Sequence, residues 1–159
     1  MKPEEILQII ADSQNLKIEG KGKKMCAVGE ILKFPVVARV DSSFLMKELV
    51  IVFATAAPVS IKKLDKLLDS HKPKGMKPNA FFVTDVNNAK GAAIAGILGG
   101  AIGGAIYGAL TAKNSGEAFE LHMVMLGKSQ GEEIRERFNL AISALEDAAK
   151  QLEVVPVSS

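Results

Sequence analysis

The chain has no tryptophan, one tyrosine, one cysteine and two histidines in its 159 residues. Each scarcity closes off a class of chemistry. Cys26, standing alone, makes neither a disulfide framework nor a cysteine metal cluster. His71 and His122 lie far apart in sequence and neither belongs to an HExxH pair. A metal site would need a third ligand from Asp41, Asp85 or Glu120, so no metal and no cofactor are expected. Arg39 is the only arginine before residue 135, and no aromatic set is interleaved with the lysines, which argues against nucleic acid. The sole tyrosine, Tyr107, lies inside an apolar run, so an aromatic membrane-interface belt is missing. MKPEEILQIIADSQN has no continuous apolar core and carries two early glutamates, unlike a secretory signal. The compartment read from these features is a reducing cytosol, at the inner face of a membrane.

Small residues, by contrast, are concentrated in one place. Residues 91–112 read GAAIAGILGGAIGGAIYGALTA, 22 uncharged residues with seven glycines and seven alanines, bracketed by Lys90 and Lys113. Gly96, Gly100, Gly104 and Gly108 recur every four residues, and Gly99 and Gly103 repeat that spacing. On a helix this makes a ridge without side chains that a second helix can approach closely. Seven helical glycines cost about 6 kcal/mol relative to alanine. A bilayer, a partner helix or tight packing must offset that. As one helix the run would span about 33 Å, against a hydrocarbon core of about 30 Å. Its four Ile and two Leu supply only about −2 to −4 kcal/mol of transfer energy, so insertion depends on helix–helix contacts. A break into two shorter helices near Gly99-Gly100 is the other reading.

The run resembles glycine-zipper membrane segments, which pack helices through GxxxGxxxG ridges. The resemblance implies membrane association or self-association, with the six glycines from Gly96 to Gly108 as the packing surface and a homo-oligomer as the product. A nucleotide loop is excluded residue by residue. GxGxxG does not occur in the run, and Gly127-Lys128-Ser129 lacks the first glycine of a P-loop because His122 stands there.

Charge is divided unevenly. Residues 1–90 hold 15 Lys/Arg and 10 Asp/Glu, a net +5, whereas residues 113–159 hold 5 and 8, a net −3. Lys62, Lys63, Lys66, Lys72, Lys74 and Lys77 fall within 16 residues against Asp65 and Asp69. These lysines are the candidate contacts to anionic lipid, at about 1 kcal/mol per residue near the surface; the competing reading is a solvated helix face. Cys26 follows Lys23 and Lys24, which could lower its pKa, but strand packing accounts for it better than catalysis. Asp41 and Asp85 each end a strand, where Asp is an ordinary turn residue. No reaction is legible, and the chain reads as a non-enzyme with lipid or protein partners.

Periodicity gives the rest. Pro3 to Ser13 is a helix with the stripe Ile6, Leu7, Ile10 and Ala11. Lys17 to Lys24 is a turn or short hairpin with strand flanks. Met25–Ile31 and Phe34–Asp41 are strands, Leu49–Thr55 is a central strand covered on both faces, and Ser60 caps a helix to about Ser70. Ala80–Val86 and Ala118–Leu126 are strands flanking the run. In the second, Phe119, Leu121, Met123 and Met125 face one way and Glu120 and His122 the other. Ser129 and Glu132 have capping-box spacing before a helix to Leu152. The fold expected is a single α+β domain over 1–159, interrupted by 91–112, in the order α-β-β-β-α-β-(Gly/Ala helical insert)-β-α, with an antiparallel sheet packed by helices. That order resembles type III secretion chaperone-like domains, which implies a dimerising, protein-binding module. A pleckstrin-homology-like barrel closed by a C-terminal helix is the alternative.

Overall fold

Side-chain alternation decides which face of each strand meets the helices. In the computed structural model, which describes residues 1–42, 46–77, 80–85, 117–126 and 128–156, helix α1 (Pro3–Gln14) leads into strands β1 (Lys17–Glu19), β2 (Cys26–Ile31), β3 (Phe34–Ser42) and β4 (Met46–Thr55). Helix α2 (Ile61–Ser70), strands β5 (Phe82–Asp85) and β6 (Glu117–Leu126), and helix α3 (Gly131–Gln151) follow. The chain is thus α+β with an antiparallel sheet, as the periodicity predicts. It has one early strand more, because the basic Lys17–Lys24 stretch supplies β1 and a single 3-10 turn at Gly22–Lys24.

The six strands lie in the order β1-β2-β3-β4-β6-β5, and every pairing is antiparallel. The sheet is open, with β1 and β5 at its edges, rather than closed into a barrel. Strands β4 and β5 both run against β6, so α2 is the crossover between two parallel strands. Its Asp65 Oδ1 accepts the Val83 N–H at 3.1 Å, occupying an edge donor that could otherwise pair with a stranger.

All three helices bury their apolar stripes on one face, against Val36, Ala38, Leu49, Ile51, Phe53, Phe119 and Leu121. The Phe53 and Phe119 rings stack at 4.9 Å, and Phe34 meets both edge-on at 5.9 and 6.2 Å. Strand β4 is buried from Leu49 through Thr55 without interruption, as expected of a continuously apolar central strand. The α1 N-terminus is closed by Glu5, whose carboxylate accepts the Lys2 N–H at 2.8 Å. The Ser60 and Ser129 caps are not used as the spacing suggests. Ser60 is the N-cap of α2 but makes no side-chain cap bond; its carbonyl accepts Leu64 N–H at 3.0 Å. The N-cap of α3 is Gln130, one residue past Ser129, also without a side-chain bond. The glutamates of the first turn, Glu132 and Glu133, face its positive end instead.

Candidate functional site

The face of the sheet turned away from the helices carries a chain of polar side chains. Register places them. Arg39 lies opposite Val50, Val50 opposite His122 and His122 opposite Phe82; one row over, Val52 lies opposite Glu120 and Glu120 opposite Thr84. Arg39 therefore reaches Glu120 diagonally across β4, above Val50 and Val52. Its Nη2 is 3.5 Å from Glu120 Oε2, and its Nε donates to Asp41 Oδ1 at 3.3 Å. His122 bonds Glu48 Oε1 through Nδ1 and Thr84 Oγ1 through Nε2, the latter at 2.8 Å. A carboxylate only accepts, so Nδ1 carries the proton and the Nε2 of a neutral ring accepts the Thr84 hydroxyl. Phe82 stacks on the imidazole at 4.9 Å and 5°. Glu120 is 1% exposed, and among the described residues its Oε1 has no hydrogen-bond partner.

Hydroxyl, imidazole and carboxylate in this order form the skeleton of an activated nucleophile. The surroundings oppose that use. Acyl transfer needs donors where negative charge develops, yet Glu120 Oε2 lies 3.7 Å from the same Nε2. Among the described residues no group of three His, Cys, Asp or Glu is placed to hold a metal. Asp41 and Asp85 do not face each other, since β4 and β6 lie between their strands. His71 is a helix-end side chain, with Nδ1 2.7 Å from Leu67 O and Nε2 3.6 Å from Asp147.

Cys26 also lies on this second face, and its thiol does not follow its basic neighbours. Burial pushes its pKa up, and the charge of Glu19, opposite it on β1, adds to the rise. Lys23 and Lys24 are held in the 3-10 turn and exposed.

The six glycines of the ridge lie outside the described residues. The lysines do not. Lys62, Lys63, Lys66, Lys74 and Lys77 are exposed. Lys72 is turned in, 7% exposed, paired with Asp69 at 2.6 Å and set 5.0 Å over the Phe81 ring. The cluster is contiguous in sequence but spread in space. Lys62 and Lys63 sit in the first turn of α2, just after β4 ends. Lys74 and Lys77 come after the helix, beside the start of β5, whose Phe82 pairs with His122, five residues into β6.

The end of the sheet where β4 and β5 finish and β6 begins has its own relief. Pro156 bridges to Thr55, and Ala56 N–H donates to Val155 O at 2.9 Å. On either side of this tail are two cavities, of about 490 Å³ between the β2–β3 turn and α3, and about 210 Å³ beside the start of α2. Among the described residues no helix is long and apolar enough to cross a membrane. Alternation along β6 puts Glu120 and His122 on a common face, but the network they join is not apparent from the sequence. Its one signal was Arg39 and Asp41 at alternate positions of a strand otherwise apolar. Compared with known proteins, the chain matches no family model, no curated protein and no solved structure.

Proposed function

We propose that this chain is a non-enzymatic domain that associates closely with a membrane, or with copies of itself, through its Gly/Ala run. The observation that carries the reading is the register at the run's two ends. Asp85 pairs with Phe119, and β6 begins two residues earlier at Glu117. The chain therefore leaves the sheet at Asp85 and re-enters it at Glu117, about 8 Å away. A straight helix of 22 residues would hold its ends about 33 Å apart. The nine flanking residues, 86–90 and 113–116, reach about 30 Å when fully stretched, so a straight helix closes only with both flanks largely extended. Two arms of about 16 Å, turning back near Gly99-Gly100, return the chain without strain. Gly96 then falls on one arm and Gly104 and Gly108 on the other, where glycine lets the two backbones approach. Arms of that length reach about half of a 30 Å hydrocarbon core, so the membrane form of this reading is a hairpin seated in one leaflet.

The test is fractionation of the untagged protein with a carbonate wash of the membranes. The parent is expected to stay with the membranes. A variant with Lys90–Lys113 replaced by Asn-Gly is expected to melt cooperatively and to remain in the aqueous fraction. A parent found in the aqueous fraction as an oligomer, which Gly100→Leu/Gly104→Leu dissociates, would favour a soluble scaffold or chaperone-like homo-oligomer. An unfolded replacement would place the run in the core and end both readings.

A further inference from the structure

We infer that the end of the sheet from which the run departs is a contact surface for anionic lipid, formed by the Leu32-Lys33 turn, the exposed Val155 and the first-turn lysines Lys62 and Lys63. This rests on the membrane form of the function proposed above and assigns its lipid-facing side.

Three observations converge on that end. The first is topological. Residues 86–116 leave and return there, so anything that seats the run in a bilayer brings this end to the headgroups. The lysines divide accordingly. Lys62 and Lys63 lie at that end. Lys74 and Lys77 lie in the connection from the far end of α2 to the start of β5, whose Phe82 pairs with His122, five residues or about 17 Å down β6. A surface potential decays within a Debye length of about 8–10 Å, so these two contribute little.

The second is chemical. Val155 is 57% exposed, on the tail that separates the two cavities. Lys33 and Lys150 flank the larger cavity and Lys63 the smaller. The acidic groups at the same place are Glu146, paired with Lys150 at 3.1 Å, and Glu153. Around the two cavities and the first turn of α2 stand four lysines against these two glutamates, with apolar side chains between them, while Asp85 and Glu117 close the neighbouring strands at the same end.

The third is a turn with the wrong residues for its shape. Ile31 pairs with Phe34, leaving a two-residue loop in which Leu32 and Lys33 have φ of 53° and 71°. Both positions call for Asn-Gly, because positive φ crowds any Cβ. Local rules are broken where a side chain is wanted for something else. Here the turn packs Leu32, half-buried, against the edge of the hydrophobic core and presents the exposed Lys33 at the end of the sheet.

The full chain is tested by co-sedimentation with vesicles of phosphatidylcholine containing phosphatidylglycerol, and with phosphatidylcholine alone. Lys62→Glu/Lys63→Glu and Lys74→Glu/Lys77→Glu change net charge equally. The first is expected to weaken binding to anionic vesicles at least tenfold and the second less than twofold. Glutamate in the first turn of α2 suits the helix dipole, so folding is not at risk. Lys33→Gly separates binding from stability, since it relieves the positive φ at Lys33 without removing a core contact; it should melt at or above the parent and bind several-fold less. Equal losses from the two lysine pairs, or parental binding by the turn variant, would overturn the assignment while leaving the membrane reading in place. A parent that sediments with neither vesicle overturns both.

Discussion

The two faces of the sheet are made by the same strands and held by different means. On the helix side Phe53, Phe119, Leu121, Ile51 and Leu49 meet three amphipathic helices and contain no ionisable group. On the other side Val37, Val50 and Val52 are buried as completely, but their neighbours are Arg39, Glu120, His122 and Glu48. Burial on the first face is gained by removing apolar area from water, at about 25 cal/mol per Å². On the second, charged groups lose water as well, and their pairing roughly cancels that cost. The same degree of burial thus has different consequences for stability and for specificity.

The largest expected effect is on the helix side. Phe119→Ala removes a ring stacked on Phe53 and touched edge-on by Phe34. It should cost about 3–5 kcal/mol, the range for a buried aromatic truncated in a packed core. Urea unfolding measures it, and a loss under about 1 kcal/mol would mean that the aromatic cluster does not anchor this face.

Breaking the ion pair across the second face should cost less. Arg39→Ala leaves Glu120 buried without a cation. Full removal of one partner of a buried pair costs about 3–5 kcal/mol. Arg39 is 21% exposed and its contact is long at 3.5 Å, so about 2 kcal/mol is expected. Arg39→Met/Glu120→Leu removes both charges and should return stability to within about 1 kcal/mol of the parent. A double variant as unstable as Arg39→Ala would show that the network contributes net stability, and the contrast between the faces would fail.

The helix-covered face was legible in the sequence and the other was not, for a physical reason. The stripes Ile6, Leu7, Ile10 and Ile134, Phe138, Leu145 repeat at the helical period, and β6 alternates cleanly, so apolar order alone assigns them. A polar network leaves no such period. Arg39 and Glu120 are 81 residues apart, and only the register of β3 against β4 and of β4 against β6 brings them together. The missed caps have a similar cause. Ser60 and Ser129 carry the right side chain, but helix starts are set by where the chain leaves the sheet, and a shift of one residue removes Ser129 from its cap position. The lysine cluster was legible as composition and not as a surface, because α2 carries its two halves apart.

The smallest effect sharpens the comparison at a single thiol. Cys26 belongs to the second face, yet burial and Glu19 hold its pKa above the ordinary value. A raised pKa in the folded state means that the fold favours the protonated thiol. Below the thiol's usual range, about 8.5, both folded and unfolded chains keep the proton and no pH slope arises. Above it the unfolded chain ionises first, binds fewer protons than the folded one, and is favoured, so stability falls as pH rises. Cys26→Ala lacks that slope. Its stability deficit relative to the parent should therefore be larger at neutral pH than at a pH one unit above the thiol's usual range. Paired urea titrations of the two proteins measure the difference, in which other groups that titrate at high pH cancel. Parallel pH profiles would mean that the thiol ionises as easily folded as unfolded, and Cys26 would then have to be solvated rather than sealed into this face.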